Sequence, residues 1–171
     1  RIWNEKAAGI RPVLDKNGDA LNIEQLSDRD RVMAILRWSA LPGMSRHHWG
    51  TDIDIYDAAA MNPGYQVQLT PSECCHGGRF SALHQWLDDS IQRGRSCGFY
   101  RPYAFDRGGV APEPWHLSFA PEATEFELML DPESCHGWLA SPPIALRAVV
   151  LGNFDEIYER FIAPAQVVSG G

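Results

Sequence analysis

Lysine is scarce in this chain, with Lys6 and Lys16 the only two, and the net charge is −7 with a pI near 5.3. Nucleic acid is therefore excluded as a natural partner, because neutralising phosphates takes clustered Lys and Arg. No stretch approaches the ~18–20 apolar residues that a membrane helix needs, so no membrane span is expected. No Cys-x-x-Cys pair occurs, which removes the usual cysteine-based zinc ligand spacing. Four cysteines, Cys74, Cys75, Cys97 and Cys135, allow three pairings if all are bridged. A bond between the adjacent Cys74 and Cys75 would be strained, so a bridge from one of them to Cys97 or Cys135 is the expected form of any disulfide. Internal repeats, low-complexity tracts and composition breaks are also missing, and 171 residues suffice for one buried core. The expectation is one domain over residues 1–171.

What is present is concentrated in residues 45–54, Ser-Arg-His-His-Trp-Gly-Thr-Asp-Ile-Asp. Imidazole and carboxylate are ordinary zinc donors, and a catalytic zinc takes three protein ligands while leaving a fourth position open. His47 and Asp54 can supply two, with His48 competing for the histidine place. Residues 51–55 alternate, which predicts a strand with Ile53 and Ile55 on an apolar face and Asp52 and Asp54 on the other. Gly50 lets the chain bend ahead of it and bring His47 back over Asp54. Asp52 then reads as a hydrogen-bonding neighbour behind the ligands.

A second cluster is Glu113-Pro114-Trp115-His116. Pro112 and Pro114 oppose a helix. Residues 115–119 alternate as a strand, with Trp115, Leu117 and Phe119 on the apolar face and His116 toward a polar cleft. Glu113, three residues before His116 and across a proline, stands where a general base is wanted beside a metal.

The paired patterns Ser-x-His-x-x-Gly-x-x-x-Asp (Ser45, His47, Gly50, Asp54) and Glu-x-x-His (Glu113, His116, with Trp115 between) resemble the D-alanyl-D-alanine carboxypeptidase family of zinc peptidases, VanY-like branch. That family is related in fold to lysostaphin and hedgehog domains. The resemblance implies an α+β fold in which a small antiparallel sheet carries the zinc site and helices pack on it. It implies Zn2+ held by His47, Asp54 and His116, the family spacing selecting His47 over His48. Glu113 is implied to be the catalytic base, with Trp115 shaping the pocket wall. The implied substrate is the D-alanine-containing stem peptide of peptidoglycan, cut by a monomer in the cell envelope, periplasmic or secreted, where disulfides persist. The same ligands serve L,D-carboxypeptidases, dipeptidases and endopeptidases, and a zinc-containing binding module without catalysis is the rival from another class.

Ser45 is a candidate substrate contact or a turn stabiliser. Arg37 is a candidate for a substrate carboxylate, weighed against a structural ion pair. Relatives carry a Ser-Gly-x-Arg-Ser stretch and a glutamine before the first motif. This chain begins at Arg1 without them, so a processed or trimmed form lacking that segment is expected.

Along the chain, helices are predicted at residues 1–8, ended by Gly9, and at 28–38 with Ser27 as N-cap. Another runs from Ser81 to Gly94, and one follows Asn153 through Phe154, Ile157, Tyr158 and Phe161. Short strands are predicted at 66–69 and 97–100, and a further one through Phe126, Leu128 and Leu130. Asn17 and Gly18 mark a loop, and residues 101–112 form a glycine-containing loop suited to rim a cleft.

Overall fold

The computed structural model describes residues 1–16 and 18–163; Asn17, marked as loop by the sequence, lies outside the described residues. The chain opens with α1 (Ile2–Ala7), closed by Gly9 at φ 73°. Its Trp3 is buried and donates its indole N–H to the Ala145 carbonyl, binding the start of the chain to its C-terminal third. The next helix, α2 (Asp28–Leu36), begins where the Ser27 side chain accepts the Asp30 amide. It buries Val32, Ile35 and Leu36 to 1% exposure or less, each side chain contributing about 1.5–3 kcal/mol relative to exposure.

A 3-10 turn (Arg46–Trp49) follows, capped by Gly50 at φ 76°. This left-handed conformation suits glycine and turns the chain into β1 (Asp52–Asp54). After α3 (Pro71–Cys74) and α4 (Ser81–Gln92) come β2 (Phe99–Tyr100) and β3 (His116–Phe119). The three strands form one antiparallel sheet in the order β1-β3-β2. Its register sets Asp54 opposite His116 and Asp52 opposite Ser118. Two flanking bonds, Ile55 N–H to the Trp115 carbonyl and Phe119 N–H to the Thr51 carbonyl, lengthen the β1–β3 pairing.

The remainder is helical: α5 (Ala120–Leu128), α6 (Pro132–Leu139), α7 (Arg147–Gly152) and α8 (Phe154–Ile157), then a π-helical turn (Tyr158–Ile162). Helices α1, α2, α6, α7 and α8 converge on one apolar core that includes Trp3, Ile35, Leu36, Leu139, Val150 and Ile157. The fold is thus α+β, with a small antiparallel sheet and helices packed around a core of their own.

Several expectations need correction. Residues 66–69 are not a strand: Glu73 takes the Gln68 and Thr70 amides that a ladder would need, and Leu69 sits at φ 53°. Phe126, Leu128 and Leu130 are not strand residues either. Pro121 opens α5, which carries Phe126 onto Trp49 in a parallel stack and leaves Leu128 in solvent. In β1 the expected apolar face is not the buried one: Asp52 is buried while Ile53, 46% exposed, and Asp54 are both exposed, because a polar network holds Asp52. Asn153 does not cap α8 with its side chain, which instead donates to the Val149 carbonyl as α7 ends. No disulfide links Cys74 or Cys75 to Cys97 or Cys135, and all four thiols are free. Cys135 is part of the helical core, whereas Cys74 is on α3.

Candidate metal centre

The register of β1 on β3 brings Asp54 beside His116, and the 3-10 turn folds His47 over both. Ligand atoms of these three side chains all lie within 4.8 Å of one another. Asp54 Oδ1 is 3.4 Å from His116 Nδ1, and Asp54 Oδ2 is 3.5 Å from His47 Nε2. These gaps are long for hydrogen bonds. They match donors about 3.3–3.5 Å apart around a tetrahedral ion bound at roughly 2.0–2.2 Å.

Each imidazole is held so that the nitrogen facing the group is free. His47 Nδ1 meets the Asp52 carbonyl at 3.2 Å, an acceptor only, which puts the proton on Nδ1 and the lone pair on Nε2. His116 Nε2 bonds Asp52 Oδ2 at 2.7 Å, while its Nδ1 is buried with no hydrogen-bond partner. A buried imidazole nitrogen left open toward a carboxylate and a second imidazole fits a metal ion. His116 is 3% exposed while His47 and Asp54 are open to solvent on one side, as an accessible rather than closed centre requires.

Behind His116 lies a buried polar cluster. Asp52 accepts bonds from Arg46, Ser118 and Thr51 as well as His116, and Arg46 reaches on to Glu127 and Tyr100. Burial alone would raise the Asp52 carboxyl, but the bonds from His116, Arg46 and Ser118 hold it well below the usual carboxylate range. Burial likewise opposes a charged His116. The carboxylates of Asp52, Asp54 and Glu113 outweigh it and push the imidazole up to about 10 without a metal.

Glu113 Oε2 lies 3.4 Å from His116 Nδ1, on a side chain 14% exposed. Its backbone is fixed from both directions, its N–H donating to the Tyr103 carbonyl and its carbonyl accepting the His116 N–H. These residues line one cleft of about 690 Å³, together with Ser45, Trp115 and His48. Trp115 is buried and stacks on Trp38 at 6.4 Å. Ser45 precedes the 3-10 turn with no side-chain capping bond, and its carbonyl accepts the His48 amide. Arg37 is not among the cleft-lining residues; it pairs bidentately with Asp106 and donates to the Gly109 carbonyl. The loop through Tyr103 and Val110 does rim the cleft. Sequence reasoning missed Arg46, Tyr100, Ser118 and Glu127. The available signal was an arginine inside the motif and a serine two residues from His116 on the same strand face.

Fold and site together define a small α+β protein in which two imidazoles and one carboxylate form a group able to hold a metal ion, with a glutamate beside it. The sequence matches the VanY family, D-alanyl-D-alanine carboxypeptidase, over residues 2–122, and the chain belongs to that family. It is 29% identical over 120 residues to an uncharacterized protein of Haemophilus influenzae, covering 69% of this chain and 89% of that one. A second uncharacterized Haemophilus influenzae protein is 55% identical over 40 residues, 23% of this chain and 27% of its own length. No solved structure matches.

Proposed function

We propose that this protein is a zinc-dependent D-alanyl-D-alanine carboxypeptidase that removes the C-terminal D-alanine from peptidoglycan stem peptides. The observation that carries the reading is the open His47–Asp54–His116 group with Glu113 3.4 Å from the free nitrogen of His116. Family membership supports the choice of bond and of substrate class. The substrate's location makes the cell envelope the place of action, and a monomer suffices, since every proposed site residue is on one chain.

When bound, zinc would lower the pKa of a water to about 7 and polarise the scissile carbonyl. His47 presents Nε2 because Asp52 holds its other nitrogen, and His116 presents Nδ1 for the same reason. Glu113 accepts the proton of the attacking water and returns it to the leaving amine. Two backbone bonds fix the Glu113 main chain, from which its carboxylate reaches to 3.4 Å from His116 Nδ1. Trp115, stacked on Trp38, forms a rigid wall against which the peptide is oriented.

Mass spectrometry of stem-peptide digests tests the reading. Release of terminal D-alanine supports it, whereas cleavage only within the stem would make the protein an endopeptidase. Elemental analysis should find one zinc per chain. Full occupancy retained by each of His47→Ala, Asp54→Ala and His116→Ala would refute the ligand assignment, and His48→Ala should keep the metal.

A further inference from the structure

A carboxypeptidase must tell a terminal carboxylate from an internal amide, and a cation in the cleft does this most directly. Most cations near the centre are already engaged. Arg46 is consumed by Asp52, Glu127, Tyr100 and Ser118, and Arg1 pairs with Glu5. Arg37 is held by Asp106, and Arg101 by Asp88 and the Pro114 carbonyl.

Lys6 is different. It projects from α1, lines the cleft that holds Glu113 and the three donors, and is partly buried. Among the described residues its only hydrogen bond runs to Ser39 Oγ at 2.8 Å, and it has no carboxylate partner there. The Ser39 hydroxyl is itself committed to the Trp38 carbonyl at 2.7 Å, so its lone pair faces the ammonium. This contact aims Nζ while using one of its three donors. Burial, and secondarily Arg11, lowers the Lys6 pKa, while the charge of Glu113 works the other way, so the two side chains sense one another across the cleft.

We infer that Lys6 anchors the C-terminal carboxylate of the peptide substrate and thereby makes the cleft an exopeptidase site. The inference rests on the carboxypeptidase reading above. A neutral amide would leave the two remaining ammonium donors facing a weaker acceptor in a partly dehydrated place, whereas a carboxylate satisfies both.

Calorimetry with the zinc-loaded Glu113→Gln protein tests this, using N-acetyl-D-alanyl-D-alanine and its C-terminal amide as probes. The acid should bind about 10- to 100-fold more tightly than the amide, the ordinary worth of a charge-assisted hydrogen bond. Adding Lys6→Met should remove that preference, and Lys6→Arg should keep most of it. Zinc content checks that each variant is folded. Should Lys6→Met not fold, Ser39→Ala serves instead and should weaken acid binding severalfold relative to amide. An acid preference that survives Lys6→Met, or the absence of any preference or binding in the parent, overturns the inference. Failure of the carboxypeptidase reading would show separately, as an intact acid preference in binding with no D-alanine released by the wild-type protein.

Discussion

The helical core and the sheet that carries the centre are built on opposite principles. Around Ile35, Leu36, Leu139 and Ile157 the interior is apolar, and burial alone accounts for its cohesion. Behind the sheet, Arg46, Asp52, His116 and Ser118 are equally buried, at 8% exposure or less, yet all are polar and cross-bonded. A buried ion pair contributes little net stability over a packed apolar one, but it fixes orientation. In this protein the oriented group is an imidazole whose unpartnered nitrogen faces the candidate metal site. The helical half supplies stability, and the sheet half spends some of it on aim.

The largest effect that separates the two regions should come from Glu113→Ala. Peptidase turnover should fall about 100- to 10,000-fold, the usual contribution of a general base, with melting temperature and metal content unchanged. Loss of metal along with activity would place Glu113 among the ligands instead.

Next is Asp52→Ala. It strands the Arg46 guanidinium and frees the His116 ring, so about 3–5 kcal/mol of stability and 10- to 100-fold in metal affinity should be lost together. Denaturant unfolding and competitive metal titration measure the two separately. Unchanged metal affinity would reduce the polar cluster to a structural role.

The pH dependence sharpens the same contrast. In the metal-free protein His116 is pushed up to about 10, so its stabilising contribution is complete below its ordinary value of 6.5 and is lost as pH rises through about 10. A metal taking Nδ1 must displace that proton. Affinity should therefore fall about tenfold for each unit the pH drops between roughly 9 and 7, with one proton released per metal bound. A pH-indicator titration during metal addition reads this directly, and no proton release at pH 8 would count against it.

Within the helical core, Ile35→Val should cost about 0.5–1.5 kcal/mol with no change in metal affinity, because Ile35 is fully buried and is not among the residues that line the cleft. Arg29→Ala, which breaks an exposed pair with Glu156, should cost about 0–1 kcal/mol. Either variant altering metal affinity tenfold would show that the two regions are coupled more tightly than their separate packing suggests.

The sequence was most legible where local chemistry decides the outcome. Gly50 after the two histidines, Ser27 ahead of α2 and Gly9 after α1 are all used as their residue types require. That His47, Asp54 and His116 would come together with Glu113 beside them could be read because those types at those spacings are what a metal and a base would need. Alternation misled wherever a buried partner was polar or distant. Ile53 looked like the core face of β1, but Arg46 and Ser118 draw Asp52 into the interior and leave Ile53 exposed. Phe126, Leu128 and Leu130 alternated like a strand, yet Pro121 and the stack on Trp49 favour a helix.

The sequence by itself therefore determined the α+β class, the candidate ligands and the glutamate beside them. Only the tertiary structure decided which nitrogen of His116 is without a hydrogen-bond partner, that Arg37 is occupied by Asp106, and that Lys6 lines the cleft with a hydroxyl as its only hydrogen-bond partner among the described residues. The reason is physical. Residue type and short-range spacing fix what a group can do, but the partners that orient or consume it lie tens of residues away, as Asp52 does from His116, and only folding brings them together.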